Sequence, residues 1–311
     1  MKARTIHAME EPHTTSDQSA ATGQTPGDVI AELRSRIRER WEGFSPAARA
    51  VCRSLAERSA EELLFLSAVE LGAEAKTSNA TVIRTVQALG YSGLAELKAK
   101  IAAPFSRSTR PEWRARKRVE STGDDLENVW QRVLAESLER IELMQPTFSL
   151  SDYQHAVQLL LDARHTLTYG FGASFVAADH LALILRRAGL RSSCLQAGGF
   201  RLADDLLGIE GGDVVVLFAP GRSVVEVEIL LEQTRAVGAA SVLITDDPAS
   251  KLAEQVTVTL HSPTTPTGLT GEPLTSIVVA DVLAQGVAAS DVEKAVATSE
   301  RLTNLRRRLS F

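Results

Sequence analysis

The sequence predicts an all-α N-terminal domain followed by an α/β domain with an open parallel sheet. Apolar residues in the first third recur at helical spacing, which predicts four or five helices ending near residue 104. From residue 150 onward, short apolar runs alternate with amphipathic helices. Apolar runs such as 214–218, which follows Asp213, are typical of parallel strands covered on both faces. The change of pattern therefore places two fold classes in series along the chain.

Length and composition exclude several classes of protein. The chain has 311 residues, of which 44% are hydrophobic, and this length favours two domains. No apolar run approaches the roughly 18 residues of a membrane span, and the N-terminus lacks the apolar segment of a secretory signal. We therefore expect a cytoplasmic protein with no membrane partner. Cys52 and Cys194 have no Cys or His nearby at ligand spacing, so we expect free thiols and neither a metal site nor a cofactor.

The net charge of −5 conceals an asymmetry between the two parts of the chain. Residues 29–118 hold 17 basic and 10 acidic side chains, a net charge of +7. The remainder holds 17 basic and 29 acidic side chains, a net charge of −12. A basic N-terminal part joined to an acidic partner favours a nucleic-acid-binding module, although chance clustering of solvated charge gives the same count.

Four segments are predicted in order. Residues 1–28 are rich in Thr, Ser, Gln, Pro and Gly and are expected to be a disordered tail. Residues 29–105 form the helical domain, and residues 126–311 form the α/β domain. Residues 106–125 between them are a linker whose basic side chains either touch DNA phosphates or lie in solvent: Arg107, Arg110, Arg114, Arg116, Lys117 and Arg118. The first helix after it, 126–144, has an apolar set made of Leu126, Val129, Val133, Leu134, Leu138 and Ile141.

Residues 67–100 carry the outline of a helix-turn-helix. Ser67 is a suitable N-cap for a first helix, and Ser78 caps a second helix over residues 79–89, after which Gly90 suits a left-handed C-terminal position. Val82, Val86 and Leu89 form one buried stripe of the second helix. The turn and the opposite face carry groups that can contact base edges and phosphates, which are Lys76, Thr77, Ser78, Asn79, Thr81, Arg84, Thr85 and Gln87. An ordinary amphipathic helix pair in an all-α domain has the same periodicity.

The second half predicts an open α/β sheet with right-handed crossovers. Strands are expected at 165–169, 191–195, 213–218, 241–245 and 256–260, with helices at 153–163, 175–188, 224–237, 273–289 and 291–309. Ligands of such sheets bind at the carboxyl ends of the strands. Three loops there are candidates, and their effector-binding residues are Gly170, Gly172, Ala173 and Ser174, then Gly221, Arg222 and Ser223, then Glu272. The first loop joins a strand to a helix N-terminus, which suits an anion, although a tight turn has the same sequence.

The two halves together resemble a known family. The run SNATVIRTVQALGYSGLAELK is similar to the helix-turn-helix signature of RpiR/MurR-type bacterial transcriptional regulators. The runs YGFGASFVAADHLALILRRAG and VGAASVLITDDPASKLAEQVTVTL resemble a SIS (sugar isomerase) domain, which is Rossmann-like. The resemblance covers about residues 29–309 in the order of that family. It implies a regulator that binds a double-stranded DNA operator, responds to a phosphosugar-type effector and forms a homodimer or homotetramer.

One loop departs from the family pattern. SIS domains that hold a sugar phosphate usually have Ser-x-Ser-Gly-x-Thr/Ser after this strand, and here Phe218 and Pro220 replace the two leading serines. Loss of hydroxyl donors, and of a backbone donor at proline, weakens a phosphate cradle. Arg222 either compensates with a charge-assisted bond to an acid or faces solvent. The effector implied is therefore a sugar phosphate, a sugar acid, an unphosphorylated sugar or none.

Three functions follow from this sequence. The favoured one is a transcriptional regulator of carbohydrate metabolism genes with no catalytic residue. The alternative is a constitutive DNA-binding oligomer whose SIS domain is ligand-free. An isomerase is disfavoured, because it needs an acid and a base at the site, and Glu272 and His180 are more simply a solvated loop carboxylate and a helix-packing histidine.

Overall fold

In this computed structural model the described residues are 26–102, 115–116, 118–120, 125–196, 198–219, 224–264 and 273–310. Residues 26–102 fold into six α-helices rather than the predicted four or five. The first begins at Pro26, inside the segment predicted as tail, because Pro is favoured in a first helical turn. The six are α1 Pro26–Arg40, α2 Pro46–Ala56, α3 Ala60–Phe65, α4 Ala68–Glu74, α5 Asn79–Ala88 and α6 Leu94–Ala102.

Local caps set the starts of these short helices. Ser45 caps α2 with Pro46 at its first position, as predicted. Ser59 and Ser67 each form a capping box with the glutamate three residues on. One apolar core then unites the helices, with Leu33, Val51, Leu55, Leu71 and Val86 among its fully buried members.

The long helix α7, Leu126–Met144, has the predicted bounds, but its orientation corrects the prediction. Of the predicted apolar set, Val129 is half-buried and the rest, Leu126, Val133, Leu134, Leu138 and Ile141, are exposed. The buried side chains of α7 are instead Arg132, Glu136 and Arg140. Helical periodicity identified the two faces of α7 and did not determine which of them meets the protein.

A buried ionic cluster explains this orientation. Glu136 accepts two 2.7 Å hydrogen bonds from the Arg118 guanidinium and faces Arg132 Nε at 3.4 Å. Arg132 Nη1 reaches Glu70 Oε1 on α4 at 3.0 Å. The backbone N–H of Ala68 donates to Glu139 Oε1. Charged groups on α7 are thus matched by charges and helix-end donors of the N-terminal domain, which compensates their burial.

The C-terminal part is a five-stranded parallel sheet in the order β2-β1-β3-β4-β5. The strands are β1 Thr166–Gly170, β2 Ser192–Cys194, β3 Val214–Phe218, β4 Ala240–Thr245 and β5 Val258–His261. The helices are α8 Leu150–Asp162, α9 Ser174–Arg187, α10 Phe200–Leu206, α11 Val225–Ala236, α12 Leu274–Ser290 and α13 Val292–Arg308. The predicted α/β class is therefore confirmed. Among the described elements of this part, the prediction missed α10, a short helix that follows two glycines, and a 3-10 helix at Ala253–Gln255.

Alternation along β3 divides the core into two layers. Val214, Val216 and Phe218 pack with α8, α9 and α12, whereas Val215 and Leu217 pack with α10 and α11. Burial on both faces accounts for the uninterrupted apolar sequence of this central strand.

Helix α13 extends away from this layered body. It bends by 107° from α12 and has no buried residue. Across the described ranges, no single helix has the length and apolar character needed to cross a membrane. Taken together, α12 and α13 have sufficient length and apolar composition, but the two helices are bent by 107°.

Candidate functional site: a helix-turn-helix surface and the carboxyl edge of the sheet

The turn between α4 and α5 is tightly built. Lys76 adopts a left-handed φ of +50°, an uncommon conformation for a residue with a side chain. The N–H of Thr77 then donates to the carbonyl of Gly72 at 2.8 Å. A Cβ added at Gly72 would lie 3.0 Å from the Thr77 carbonyl oxygen, so glycine permits this close approach. The turn sets the angle at which α5 leaves α4.

The predicted DNA face lies largely on the exposed side of this unit. Thr77 and Thr81 are half-buried, and the fully exposed members are Lys76, Ser78, Asn79, Arg84 and Gln87. Ser78 accepts a hydrogen bond from the N–H of Thr81, which confirms it as the N-cap of α5. Arg84 makes no hydrogen bond or ion pair with another described residue.

Thr85 corrects the prediction. Its side chain is only 3% exposed, and its hydroxyl donates to the Thr81 carbonyl at 2.7 Å. A hydroxyl that bonds back to the preceding helical turn is turned away from any ligand on the outer face. Thr85 therefore belongs to the inner face of α5.

Two arginines of α1 secure the C-terminal end of α5, which sequence reasoning missed. Arg36 Nη1 donates to the carbonyls of Leu89 and Gly90, and Arg40 donates to that of Ala88. Gly90 has the expected left-handed φ of +91°. Cations at a helix C-terminus satisfy its unpaired carbonyls and its dipole. The available signal in the sequence was that Arg36 and Arg40 are four residues apart, which places them on one face of α1.

The basic linker needs a second correction. Arg118 is buried and bound to Glu136, so it is unavailable to a DNA phosphate. Arg116 is exposed, while Arg107, Arg110, Arg114 and Lys117 lie outside the described residues. Lys98, counted in the basic balance, is also buried, and burial lowers its pKa despite the nearby Glu139 and Glu136. Part of the N-terminal positive charge is therefore internal.

The loop after β1 is the described part of the predicted effector site. Gly170 ends β1, and a Cβ there would lie 2.4 Å from the Ser174 carbonyl oxygen, so only glycine fits. Gly172 has a left-handed φ of +59°. Ala173 is the N-cap residue of α9, which begins at Ser174, and the N–H of Ser174 donates to the Phe171 carbonyl at 3.2 Å. The positive end of the α9 dipole thus lies at the carboxyl edge of the sheet.

Phe218 ends β3 next to Gly170 in register and is 1% exposed within the apolar core. It offers no polar group where the family pattern has a serine. The remaining predicted effector residues, Gly221, Arg222, Ser223 and Glu272, lie outside the described residues, as does Pro220.

A buried hydroxyl cluster at the same edge was not predicted. Ser262 Oγ lies 3.0 Å from both Thr275 Oγ1 and Ser276 Oγ, and Thr275 donates to the Pro263 carbonyl. Nearby, Thr264 donates to Asp246 at 2.6 Å. The Thr-rich composition of 263–273 was the only signal. This cluster joins the end of β5 to the start of α12.

His180 contacts a carboxylate of a neighbouring helix. His180 Nε2 lies 2.7 Å from Asp281 Oδ1 on α12, which is the helix-packing role expected for it. Within the described ranges, no group of three or more His, Cys, Asp or Glu side chains could hold a metal ion.

The C-terminal part of the chain matches a known domain family. The family model described as the SIS domain matches residues 159–290, so this part of the chain is a SIS domain. The bifunctional protein glk of Burkholderia orbicola is 25% identical over 236 residues, 76% of this chain. The chain spans only 36% of the length of that protein. An uncharacterized HTH-type transcriptional regulator of Caldanaerobacter subterraneus is 23% identical and is matched over 74% of this chain and 80% of its own length.

Solved structures show the same fold. The sugar isomerase domain of an RpiR transcription factor from Sphaerobacter thermophilus aligns with a TM-score of 0.54 and 22% identity, over 57% of this chain and 98% of its own. The Vibrio vulnificus NanR protein, complexed with ManNAc-6P, aligns with a TM-score of 0.52 and 21% identity, over 90% of this chain and 98% of its own. The fold shared with NanR therefore extends over most of the chain, including helices of the N-terminal region.

Proposed function

We propose that this SIS-domain protein is a DNA-binding transcriptional regulator whose affinity for an operator is modulated by a carbohydrate-type metabolite. The observation that carries the proposal is the exposed polar face of α5, with Arg84 at its centre, on a buried and well-capped helix pair. A face that packs against nothing and presents hydrogen-bonding groups at helical spacing suits the major groove. Such a role belongs in the bacterial cytoplasm, where the operator is.

The domain division belongs to the same proposal. Residues 29–105 would bind DNA through Lys76, Thr77, Ser78, Asn79, Thr81, Arg84 and Gln87, and residues 126–311 would bind the effector and associate with further copies as a dimer or tetramer. Two copies present two recognition helices, which suits a palindromic operator.

For the effector site we infer a position at the carboxyl edge of the sheet, around Gly170, Gly172, Ala173 and Ser174, with Gly221, Arg222, Ser223 and Glu272 completing it. The glycine loop and the N-terminus of α9 favour an anionic ligand. The relative NanR was solved with ManNAc-6P, which supports a sugar phosphate here as one candidate. Burial of Phe218 removes one hydroxyl donor and keeps a sugar acid, or an unphosphorylated sugar, on the candidate list.

Coupling between the two sites would run through α7. This helix contacts α4 and α6 in the N-terminal domain and α12 in the SIS domain. Its Arg132 bonds to Glu70, whose other carboxylate oxygen accepts from the N–H of Ser67 at the start of the helix-turn-helix. If the protein has two arrangements that differ in the position of α7, an effector shifts the equilibrium between them only as far as its affinities for the two arrangements differ. That difference in binding free energy sets the largest change in operator affinity that the effector can cause.

Substitution of Arg84 tests the recognition face. Arg84→Ala should weaken specific operator binding about 5- to 150-fold, the range of about 1–3 kcal/mol for a bidentate base contact. A gel-shift titration against DNA upstream of its own gene measures this, with Arg38→Ala on α1 as the control because Arg38 is also exposed. Operator affinity unchanged by Arg84→Ala at physiological salt would place recognition elsewhere.

Calorimetry with sugars, sugar phosphates and sugar acids distinguishes the regulated protein from the constitutive alternative. We expect saturable binding of one member and a change in operator affinity in its presence. No response to any member supports a constitutive DNA-binding oligomer. Turnover of a phosphosugar would instead support an isomerase.

A further inference from the structure

Helix α7 presents an unusual outward face. Leu126, Trp130 and Leu138 are 80%, 68% and 54% exposed, and Val133, Leu134 and Ile141 lie beside them. From Leu126 to Ile141 this α7 stripe runs for about 22 Å. At Ile141 it enters a cavity of about 350 Å³ that Met144, Phe148 and Val282 also line. A continuous apolar patch of this kind marks an interaction surface.

The exposed charges that α7 itself places beside its stripe have one sign. Glu127 and Glu142 are exposed, and Asp125 caps the helix. The two arginines of the helix, Arg132 and Arg140, are buried and so add no charge to the exposed surface. A partner for the stripe must therefore be apolar and positively charged.

The C-terminal end of α13 has this chemistry. Leu302, Leu305 and Leu309 follow one another at spacings of three and four residues, which places them on one face. Leu302 is half-buried, but Leu305 and Leu309 are 51% and 69% exposed. Residues 301–309 contain no acid, and their arginines are Arg301, Arg306, Arg307 and Arg308. We call this segment, 301–309, the α13 end.

The N-terminal part of α13 contacts the turn after α9 in the same chain, whereas Leu305 and Leu309 of the α13 end remain exposed. Lys294 and Thr298 lie so close to Gly189, after α9, that a Cβ there would be 2.8 and 2.9 Å from their side-chain atoms. The exposure of both the α13 end and the α7 stripe shows that they do not cover each other within one chain.

We propose that the α13 end docks on the α7 stripe of a second copy of this chain. Each copy carries both surfaces, so a two-fold arrangement uses each of them once and closes as a dimer. A stable interface needs about 800 Å² from each partner, and the two symmetry-related contacts contribute jointly to that area. The arginines face the acidic border of the stripe, and a leucine enters the cavity at Ile141. This inference deepens the proposed function, on which it rests for the self-association of a regulator.

Charge alone would also suit DNA, since four arginines can neutralise phosphates. The leucines favour protein, because Leu305 and Leu309 lie on the face continuous with Leu302 and have no role at a phosphate backbone. The α7 stripe, bordered by acids, would repel DNA. One protein partner accounts for both surfaces.

Sedimentation of variants tests the docking. Leu134→Glu with Leu138→Glu, and separately Leu305→Glu with Leu309→Glu, should each raise the dimer dissociation constant about tenfold or more. Both pairs are exposed, so circular dichroism should be unchanged. Leu207→Glu is the control, because Leu207 is 81% exposed beyond α10. A wild-type chain that is monomeric at micromolar concentration, or a dimer unaffected by either double variant, overturns the proposal.

Crosslinking tests the pairing itself. Chains with Leu138→Cys mixed with chains with Leu305→Cys should form a disulfide-linked dimer above the background of the unchanged chain, which has Cys52 and Cys194. A crosslink formed by Leu138→Cys alone would show pairing of α7 with α7 and overturn the assignment to α13. Glu142→Arg and Arg307→Glu should each weaken the dimer, and together they should restore it.

DNA binding by the α13 end is a separate outcome. If Arg306, Arg307 and Arg308 are changed to Glu and operator affinity falls while the dimer persists, the α13 end contacts DNA and the proposal is wrong. If the unchanged chain binds no DNA but the mixed-cysteine dimer forms, the proposed function fails and the docking stands.

Discussion

Removal of the Glu136 charge is the strongest test of how α7 is held. Glu136→Gln keeps the size of the side chain and removes the charge that pairs with Arg118 and Arg132. The side chains of Glu136 and Arg118 are only 7% and 8% exposed, so solvent screens this pair little. Lys98 lies in the same cluster. The variant therefore removes the carboxylate charge that faces the buried cations Arg118, Arg132 and Lys98.

The magnitude follows from the geometry. Glu136 accepts both 2.7 Å bonds of a two-pronged arginine contact, which is the strong form of such a pair. Although burial opposes its ionisation, the Arg118 hydrogen bonds and the Lys98 charge hold the pKa of Glu136 below its usual value. Breaking a buried pair by removing one partner costs about 3–5 kcal/mol. Because glutamine retains one acceptor, we expect about 3 kcal/mol, the lower end of that range.

Urea unfolding followed by circular dichroism measures this loss. Glu57→Gln is the control, because Glu57 is an exposed acid in the same domain and surface substitutions change stability by about 0.5 kcal/mol or less. Arg118→Leu combined with Glu136→Leu should recover only part of the loss, since it removes the buried Arg118 charge but still takes the Glu136 charge away from Arg132 and Lys98. If Glu136→Gln differs from the control by under about 1 kcal/mol, the ionic cluster does not hold α7 on the N-terminal domain.

Three further predictions address other parts of the molecule. Gly170→Ala should destabilise the SIS domain by about 1–3 kcal/mol and abolish effector binding, because the new Cβ meets a backbone oxygen; Gly43→Ala, in open space, is the control in the same thermal unfolding assay. Burial, opposed by Asp246, lowers the pKa of His261 below 6.5, so its contribution to stability is complete above pH 6.5 and is lost as the pH falls through the lower, folded-state pKa. Unfolding free energies measured from pH 7.5 down to 5.5 should therefore decline, and less so for His261→Gln; equal slopes would contradict the assignment, and His165, whose pKa burial also lowers, contributes to the slope that remains in the variant. Burial raises the pKa of Cys52 to about 11 and also raises the pKa of Cys194. Because Cys52 is buried and Cys194 is half-buried, a thiol reagent should modify Cys194 first, and faster labelling of Cys52 would show that the N-terminal core opens readily.

Much of the fold follows from local signals. Ser45, Ser67 and Ser78 cap helices as predicted, and Gly90 has the left-handed φ expected of it. The strands were located within one or two residues. For β3 and most of β4 the signal was an apolar run, which is typical of a strand buried on both faces, whereas β1, β2 and β5 contain polar residues. Caps, turns and periodicity depend on neighbours a few residues apart, which is why they can be read from a linear chain.

The candidate site was less predictable. Thr85 sits at the edge of the polar arc of α5, and only packing of the helix decided that it turns inward. Arg118 resembles a solvated linker charge until Glu136, 18 residues away, is placed beside it. The clamp of Arg36 on the end of α5 joins residues more than 50 positions apart.

By itself, the sequence determined the two fold classes, their order, the helix-turn-helix outline and the glycines that the loop after β1 requires. Tertiary structure alone decided which face of α7 is buried and which faces outward. The physical reason is that periodicity defines a face by the angle between side chains on one helix, whereas burial depends on what lies opposite. Charges on α4, α6 and Arg118 compensate the buried polar face of α7, and the apolar face is left for a partner.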